Sequence, residues 1–277
     1  MHELPLLIFT LLVQGSVGLT LFLALAARTA KDVPEAQKQR LPAMLFACIA
    51  GGLGLIASTL HLGYPLNAFN ALRHIASSWL SREIVFASVY LAVLGFCTLM
   101  MLIKKQRFGI LLPVAAVLGL IDVWCMSAIY AHSSVITWMH FNTWLMFYGS
   151  VGILGAIAFT GLPLLKASQA VSAYQPLIRL TVVTVMMVTV IRLLAQPAYL
   201  HYLSSASLNN VVTLPHQPVQ AFAELSGLRL LSWVISVMGT ALFAISGWRN
   251  RRCGLIIGSL LLLVSEVLFR FVFFSIH

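Results

Sequence analysis

The chain has 277 residues, of which 60% are hydrophobic and 9% charged, and its mean hydropathy is +0.97. Soluble domains are about 45–50% apolar and about 25% charged, so a soluble enzyme, a nucleic-acid-binding domain and a disordered adaptor are all excluded. The net charge of +10 is therefore read as membrane topology, with no nucleic acid as partner.

In chain order, eight apolar runs stand out, at about 4–27, 41–63, 83–103, 108–131, 142–165, 175–197, 227–247 and 254–276. Each is close to the roughly 20 residues that cross about 30 Å of hydrocarbon. They predict an all-α polytopic helix bundle that forms a single transmembrane domain over 1–277. The first run is longer than a signal peptide, opens on the acidic Glu3 and lacks a small-residue cleavage site, so it counts as a span. Short polar hairpins, "RTAKDVPEAQKQR" (28–40), "KKQR" (104–107) and "WRNRRC" (248–253), separate the first and second, the third and fourth, and the last two spans.

With eight spans the connections alternate between two sides. One side holds Arg28, Lys31, Lys38, Arg40, Lys104, Lys105, Arg107, Lys166, Arg179, Arg249, Arg251 and Arg252, twelve of the 17 basic residues. The other side carries Arg73, Arg82, Arg192, Arg229 and Arg270 together with both termini. The positive-inside rule then puts the basic hairpins in the cytoplasm and both termini outside. The outer connections, 61–82, 131–142 and 196–227, are longer and rich in His, Tyr, Trp, Asn and Pro.

Cys48, Cys97, Cys125 and Cys253 are scattered with no CxxC spacing, which argues against a disulfide framework or an iron–sulfur site. All eight histidines fall toward the outer side. A haem held between His61 and His132 or His140 is the sharp alternative; interfacial hydrogen bonding is the plainer reading, and no metal or haem is expected.

Ionisable groups at membrane depth are the best pointers to function, because they cost free energy unless they are used or paired. His61 closes the second span and Glu83 opens the third on the same side, with Tyr64, Asn67, Arg73 and Arg82 between them. An imidazole and a carboxyl beside apolar walls form an acid/base pair suited to a quinol, whose oxidation releases two protons. The plainer account has Glu83 neutralising Arg73 or Arg82, and His61 capping its helix. Asp122 lies mid-span, as a proton relay, an ion ligand or a carboxyl bonded to Ser127. Glu266 and Arg270 are one turn apart and are expected to form an interior ion pair. Arg192 is expected to snorkel, or to meet Glu224 or Asp122.

The segment "ASTLHLGYPLNAFNALRHIASSWLSREIVFASVY" (57–90), with "HELPLLIFTLLVQGSVG" (2–18) and "SEVLFRFVFFSIH" (265–277), closely resembles the membrane anchor subunit of bacterial dimethyl sulfoxide reductase, the DmsC family. The resemblance covers essentially the whole chain and is most specific from Ser58 through Glu83. It implies an anchor that holds a periplasmic molybdopterin catalytic subunit and an iron–sulfur subunit at the membrane. It also implies oxidation of menaquinol, without haem, at a site whose histidine and glutamate correspond to His61 and Glu83. Asp122 departs from the pattern, which has an apolar residue there. Two other readings stay open: a related polysulfide- or nitrite-reductase anchor, and a secondary transporter working through Asp122, Arg192, Glu266 and Arg270.

Overall fold

The computed structural model describes residues 4–29, 34–61, 72–104, 110–164, 175–206, 215 and 217–276. Among them are nine α-helices: α1 (Leu4–Thr29), α2 (Pro34–His61), α3 (Trp79–Lys104), α4 (Leu111–Ala131), α5 (Asn142–Leu164), α6 (Gln175–Ala206), the short α7 (Pro218–Glu224), α8 (Ser226–Trp248) and α9 (Arg252–Ser275). All except α7 are long and apolar enough to cross a membrane. Their outward faces carry large apolar side chains such as Ile49, Leu102, Leu194, Leu230 and Leu260. Water would not tolerate that surface, but lipid does, because tails are as apolar as leucine.

Two spans begin or end where the hydropathy alone did not put them. Helix α6 continues through Pro197 to Ala206 and is 32 residues long, which at about 1.5 Å per residue is well over the hydrocarbon thickness. The expected stop at 197 is thus a helix running on beyond the apolar band. Helix α3 starts at Trp79, so Glu83 sits one turn inside it instead of at its first residue. The turn between α8 and α9 is tight because Asn250 takes a left-handed conformation (φ 59°), and the Arg251 amide donates back to the Ser246 carbonyl at 2.8 Å.

Lipid offers little hydrophobic drive for helix pairing, so close approach falls to small residues. Helix α1 is the most deeply enclosed span. Its Gly18 meets Gly155 of α5 almost backbone to backbone: a Cβ on Gly18 would fall 2.8 Å from the Gly155 Cα. On the other side Gly258 of α9 lies against the Phe243 backbone of α8, where an added Cβ would come 2.7 Å from the Phe243 nitrogen.

Polar side chains fasten the same helices. Arg192 of α6 is 1% exposed; its Nη1 donates to Glu266 Oε1 of α9 at 2.5 Å and its Nη2 to Oε2 at 3.4 Å. Ser150 of α5 donates to Glu266 Oε2 at 2.5 Å and accepts from Arg192 Nη2 and Arg270 Nη2, each at 3.1 Å. Arg270 also donates to Gln14 Oε1 of α1 at 2.6 Å and lies 4.0 Å over the Phe147 ring. Gly149 makes room: a Cβ there would fall 2.7 Å from the Arg192 guanidinium carbon. The expected Glu266–Arg270 pair is therefore corrected. One turn of separation puts the two side chains on one face, but the carboxylate turns to the neighbouring helix, where a forked guanidinium meets both its oxygens. Arg192 likewise neither snorkels nor meets Glu224 or Asp122.

Two stability outcomes are expected. Gly18→Ala should cost about 1–3 kcal/mol by overpacking, read as a lower thermal midpoint of the chain in detergent, whereas Gly52→Ala, with nothing within 4 Å of its added Cβ, should leave the midpoint in place. Arg192→Met should cost about 3–5 kcal/mol by stranding a buried carboxylate, and adding Glu266→Met should recover more than half of that loss.

Candidate functional site

The ends of the helices nearest the chain termini form one polar, aromatic-rich end of the bundle. Thr137 Oγ1 donates to the Ile276 carbonyl at 2.6 Å and Trp138 Nε1 to the Phe273 carbonyl at 2.8 Å, while Tyr199 donates to the Thr137 carbonyl at 2.6 Å. These bonds tie the 132–141 connection to α6 and α9, which gives this end a fixed frame.

Of the residues expected to form the quinol site, Tyr64 and Asn67 lie outside the described residues. His61 is the last residue of α2, and its side chain lies outside the description. Arg73 is exposed, within a short 3₁₀ turn at Leu72–His74. Arg82 bends back to donate to the Ile75 and Ala76 carbonyls at 2.9 and 2.6 Å, with its guanidinium 4.2 Å over the Trp79 ring. Arg82 thus ties down the connection ahead of α3 rather than neutralising an acid. Glu83 is only 5% exposed. Among the described residues no ion pair or hydrogen bond reaches its carboxyl, so the account in which it offsets Arg73 or Arg82 does not hold.

An aromatic wall stands beside Glu83. Trp79, one turn before it on α3, stacks on the His132 ring at 5.5 Å, and Trp144 meets His132 edge-on at 6.2 Å. The Trp144 indole N–H is buried and has no hydrogen-bond partner among the described residues. His132 Nδ1 bonds the Ala128 carbonyl at 2.9 Å, which caps α4 and leaves the other ring nitrogen for a further contact. Trp79 and Trp144 were not singled out from the sequence, and His132 only as a haem candidate. The spacing of Trp79 to Glu83, one helical turn, is the signal that could have found the wall. His140 faces elsewhere: its Nδ1 accepts from the Asn142 amide at 3.1 Å, and its ring packs on Tyr199 and Tyr202 at 5.4 and 4.8 Å. Burial holds its proton affinity below the usual imidazole range, which suits that acceptor role.

Asp122 on α4 is 0% exposed, and neither of its oxygens has a hydrogen-bond partner among the described residues. The alternative bond to Ser127 is not made; Ser127 donates to the Val123 carbonyl of its own helix at 2.8 Å. The four cysteines are free, and the described residues hold no cluster of three or more metal-ligating side chains. A cavity between α5, α6, α7, α8 and α9 is lined by Asn142, Gln196, Tyr199, Arg229, Trp233 and Phe273 among others. None of the described residues expected at the quinol site lines it.

Comparison with known proteins fits this arrangement of eight apolar helices around a few buried charges. A family model described as DMSO reductase anchor subunit (DmsC) matches residues 1–276. The protein is 34% identical over its whole length to YnfH of Escherichia coli K12, an anaerobic dimethyl sulfoxide reductase subunit, and spans 95% of that relative. It is 30% identical to the C subunit of anaerobic dimethyl sulfoxide reductase from the same bacterium and 28% identical to that from Haemophilus influenzae, again over its whole length and 95% of each relative. No solved structure matches it. It is thus a multi-pass protein of the bacterial inner membrane, and it belongs to the DMSO reductase anchor subunit (DmsC) family.

Proposed function

We propose that this chain anchors a dimethyl sulfoxide reductase at the membrane and oxidises menaquinol beside Glu83, passing the electrons to an iron–sulfur subunit that feeds a molybdopterin subunit. The observation that carries the reading is Glu83 itself: a buried carboxyl, unpaired among the described residues, one turn inside a membrane helix and flanked by the Trp79–His132 stack. Aromatic faces suit a naphthoquinol ring, and an unpaired carboxylate near water can accept a hydroxyl proton. His61, at the end of the neighbouring α2, is the second proton acceptor, and Tyr64, Asn67, Arg73 and Arg82 complete the quinol-binding set.

The partners sit on the same side. The basic residues concentrate on the hairpins opposite the termini, so the termini and the Glu83 end face the periplasm. Protons and electrons then leave on one side, and the step moves no net charge across the membrane. The named relatives favour dimethyl sulfoxide as the terminal acceptor over polysulfide or nitrite, and a transporter loses its motive because Arg192 and Glu266 are paired with each other and Arg270 is bonded to Gln14 and Ser150.

In the assembled complex, Glu83→Gln and His61→Ala should each lower menaquinol-dependent turnover at least tenfold, more than about 1.4 kcal/mol of barrier, while reduction driven by a viologen dye stays at the wild-type rate. Full quinol-dependent turnover in both variants would rule the site out. Orientation has its own measurement. The exposed Cys253 should resist a membrane-impermeant maleimide in spheroplasts and react after permeabilisation, whereas a cysteine placed at the exposed Ser275 should react in both.

A further inference from the structure

The second buried acid, Asp122, has no part in the site just described, yet its surroundings connect it to Glu83. Helices α3 and α4 run antiparallel, since Trp79 at the start of one stacks on His132 at the end of the other. Deeper in, Gly119 lies against Tyr90, where an added Cβ would come 3.2 Å from the ring. Counting at about 1.5 Å per residue from each of these fixed points puts Asp122 about 6–9 Å below Glu83. Both lie on the buried stripes by which the two helices pack, with only the small Ala87 one turn beneath Glu83, and the two carboxyls are close enough for their charges to interact.

The buried charges bear on the same pair. Among the described residues the buried ionisable side chains that carry formal charge are Arg192, Arg270, Glu266, Glu83 and Asp122. Two cations face three acids, so the set is neutral when Glu83 and Asp122 together hold one proton. The surplus positive charge sits on Arg270, whose Nη1 has no hydrogen-bond partner among the described residues. Its Nη2 reaches Gln14, whose amide in turn contacts Met126 Sδ at 3.5 Å, one turn above Asp122 on α4. Among the described residues the other titratable groups near Asp122 are Tyr90, Cys125 and Tyr148, none of them a cation.

We propose that Asp122 is a second proton station that works through Glu83. At rest the two carboxyls hold one proton between them, on Glu83. When menaquinol enters, the Glu83 side chain swings over Ala87 and its O–H bond breaks as an Asp122 oxygen takes the proton. Glu83 is left as a carboxylate facing the quinol hydroxyl, and the buried set stays neutral. As two electrons leave for the iron–sulfur acceptor, one quinol proton bonds to Glu83 and the other leaves by His61. Release of one proton from the pair to the outer water resets the site. Asp122 touches no substrate at any point. The inference rests on the quinol reading of Glu83.

The test uses the assembled complex with a short-chain naphthoquinol as donor. Asp122→Asn should lower kcat at least tenfold with KM within twofold of wild type, and Asp122→Glu should restore most of the rate. The viologen-driven rate and the thermal midpoint should not fall in Asp122→Asn or in Asp122→Leu, since the carboxyl holds no partner in place. Redox-induced infrared difference spectra should show a protonated-carboxyl band in the wild type that Asp122→Asn removes. Turnover within twofold of wild type in both Asn and Leu variants, beside an inactive Glu83→Gln, would overturn this inference and leave the quinol site standing. A loss of turnover accompanied by a lower midpoint would also overturn it, as a packing effect. Full turnover in Glu83→Gln would instead remove the quinol site and this inference with it.

Discussion

One serine hydroxyl stands at the centre of the charged interior. A hydroxyl has one hydrogen to give and two lone pairs to offer, and Ser150 uses all three, giving to Glu266 and accepting from Arg192 and Arg270. That arrangement lets two guanidinium groups sit side by side at membrane depth, which neither the carboxylate alone nor lipid could permit. It also fixes α5, α6 and α9 relative to one another, and through Gln14 it fixes α1. The helices that carry the outer aromatic frame are therefore referenced to a single polar knot.

The rest of the interior is divided between packing and chemistry. Where backbones come closest, at Gly18 with Gly155 and at Gly258 with Phe243, there is no room for a side chain and no polar group to spare. Elsewhere in the interior several buried polar groups have no hydrogen-bond partner among the described residues, among them Glu83, the Trp144 indole and both oxygens of Asp122. A fold that satisfies Arg192 with five acceptor atoms on two helices has the means to satisfy a carboxyl. Leaving Asp122 and Glu83 without a partner costs stability.

The aromatic-rich end also separates a residue that holds the chain in place from its neighbour, which does not. Arg82 stands next to Glu83 in the chain, but its guanidinium closes the 75–82 turn on itself and covers Trp79. That contact places the indole against His132 and leaves the neighbouring carboxyl without an ion pair among the described residues. Consecutive residues on a helix point about 100° apart, so these two adjacent side chains take different roles.

Hydropathy alone determined the eight spans, their approximate limits and the asymmetry of basic residues, because length and charge are one-dimensional quantities that a bilayer reads directly. The sequence also picked out Glu83, since a carboxyl in an apolar run is rare enough to be conspicuous. It could not determine which charges pair. Spacing favoured Glu266 with Arg270, and the tertiary structure assigned Glu266 to Arg192, 74 residues away, because a forked guanidinium on a facing helix meets both carboxylate oxygens while one on the same helix meets neither. Nor could it say that Asp122 has no hydrogen bond among the described residues or that Trp79 and His132 share a stack. Both depend on the register of α3 against α4, which is set by contacts such as Gly119 on Tyr90 that no local pattern contains.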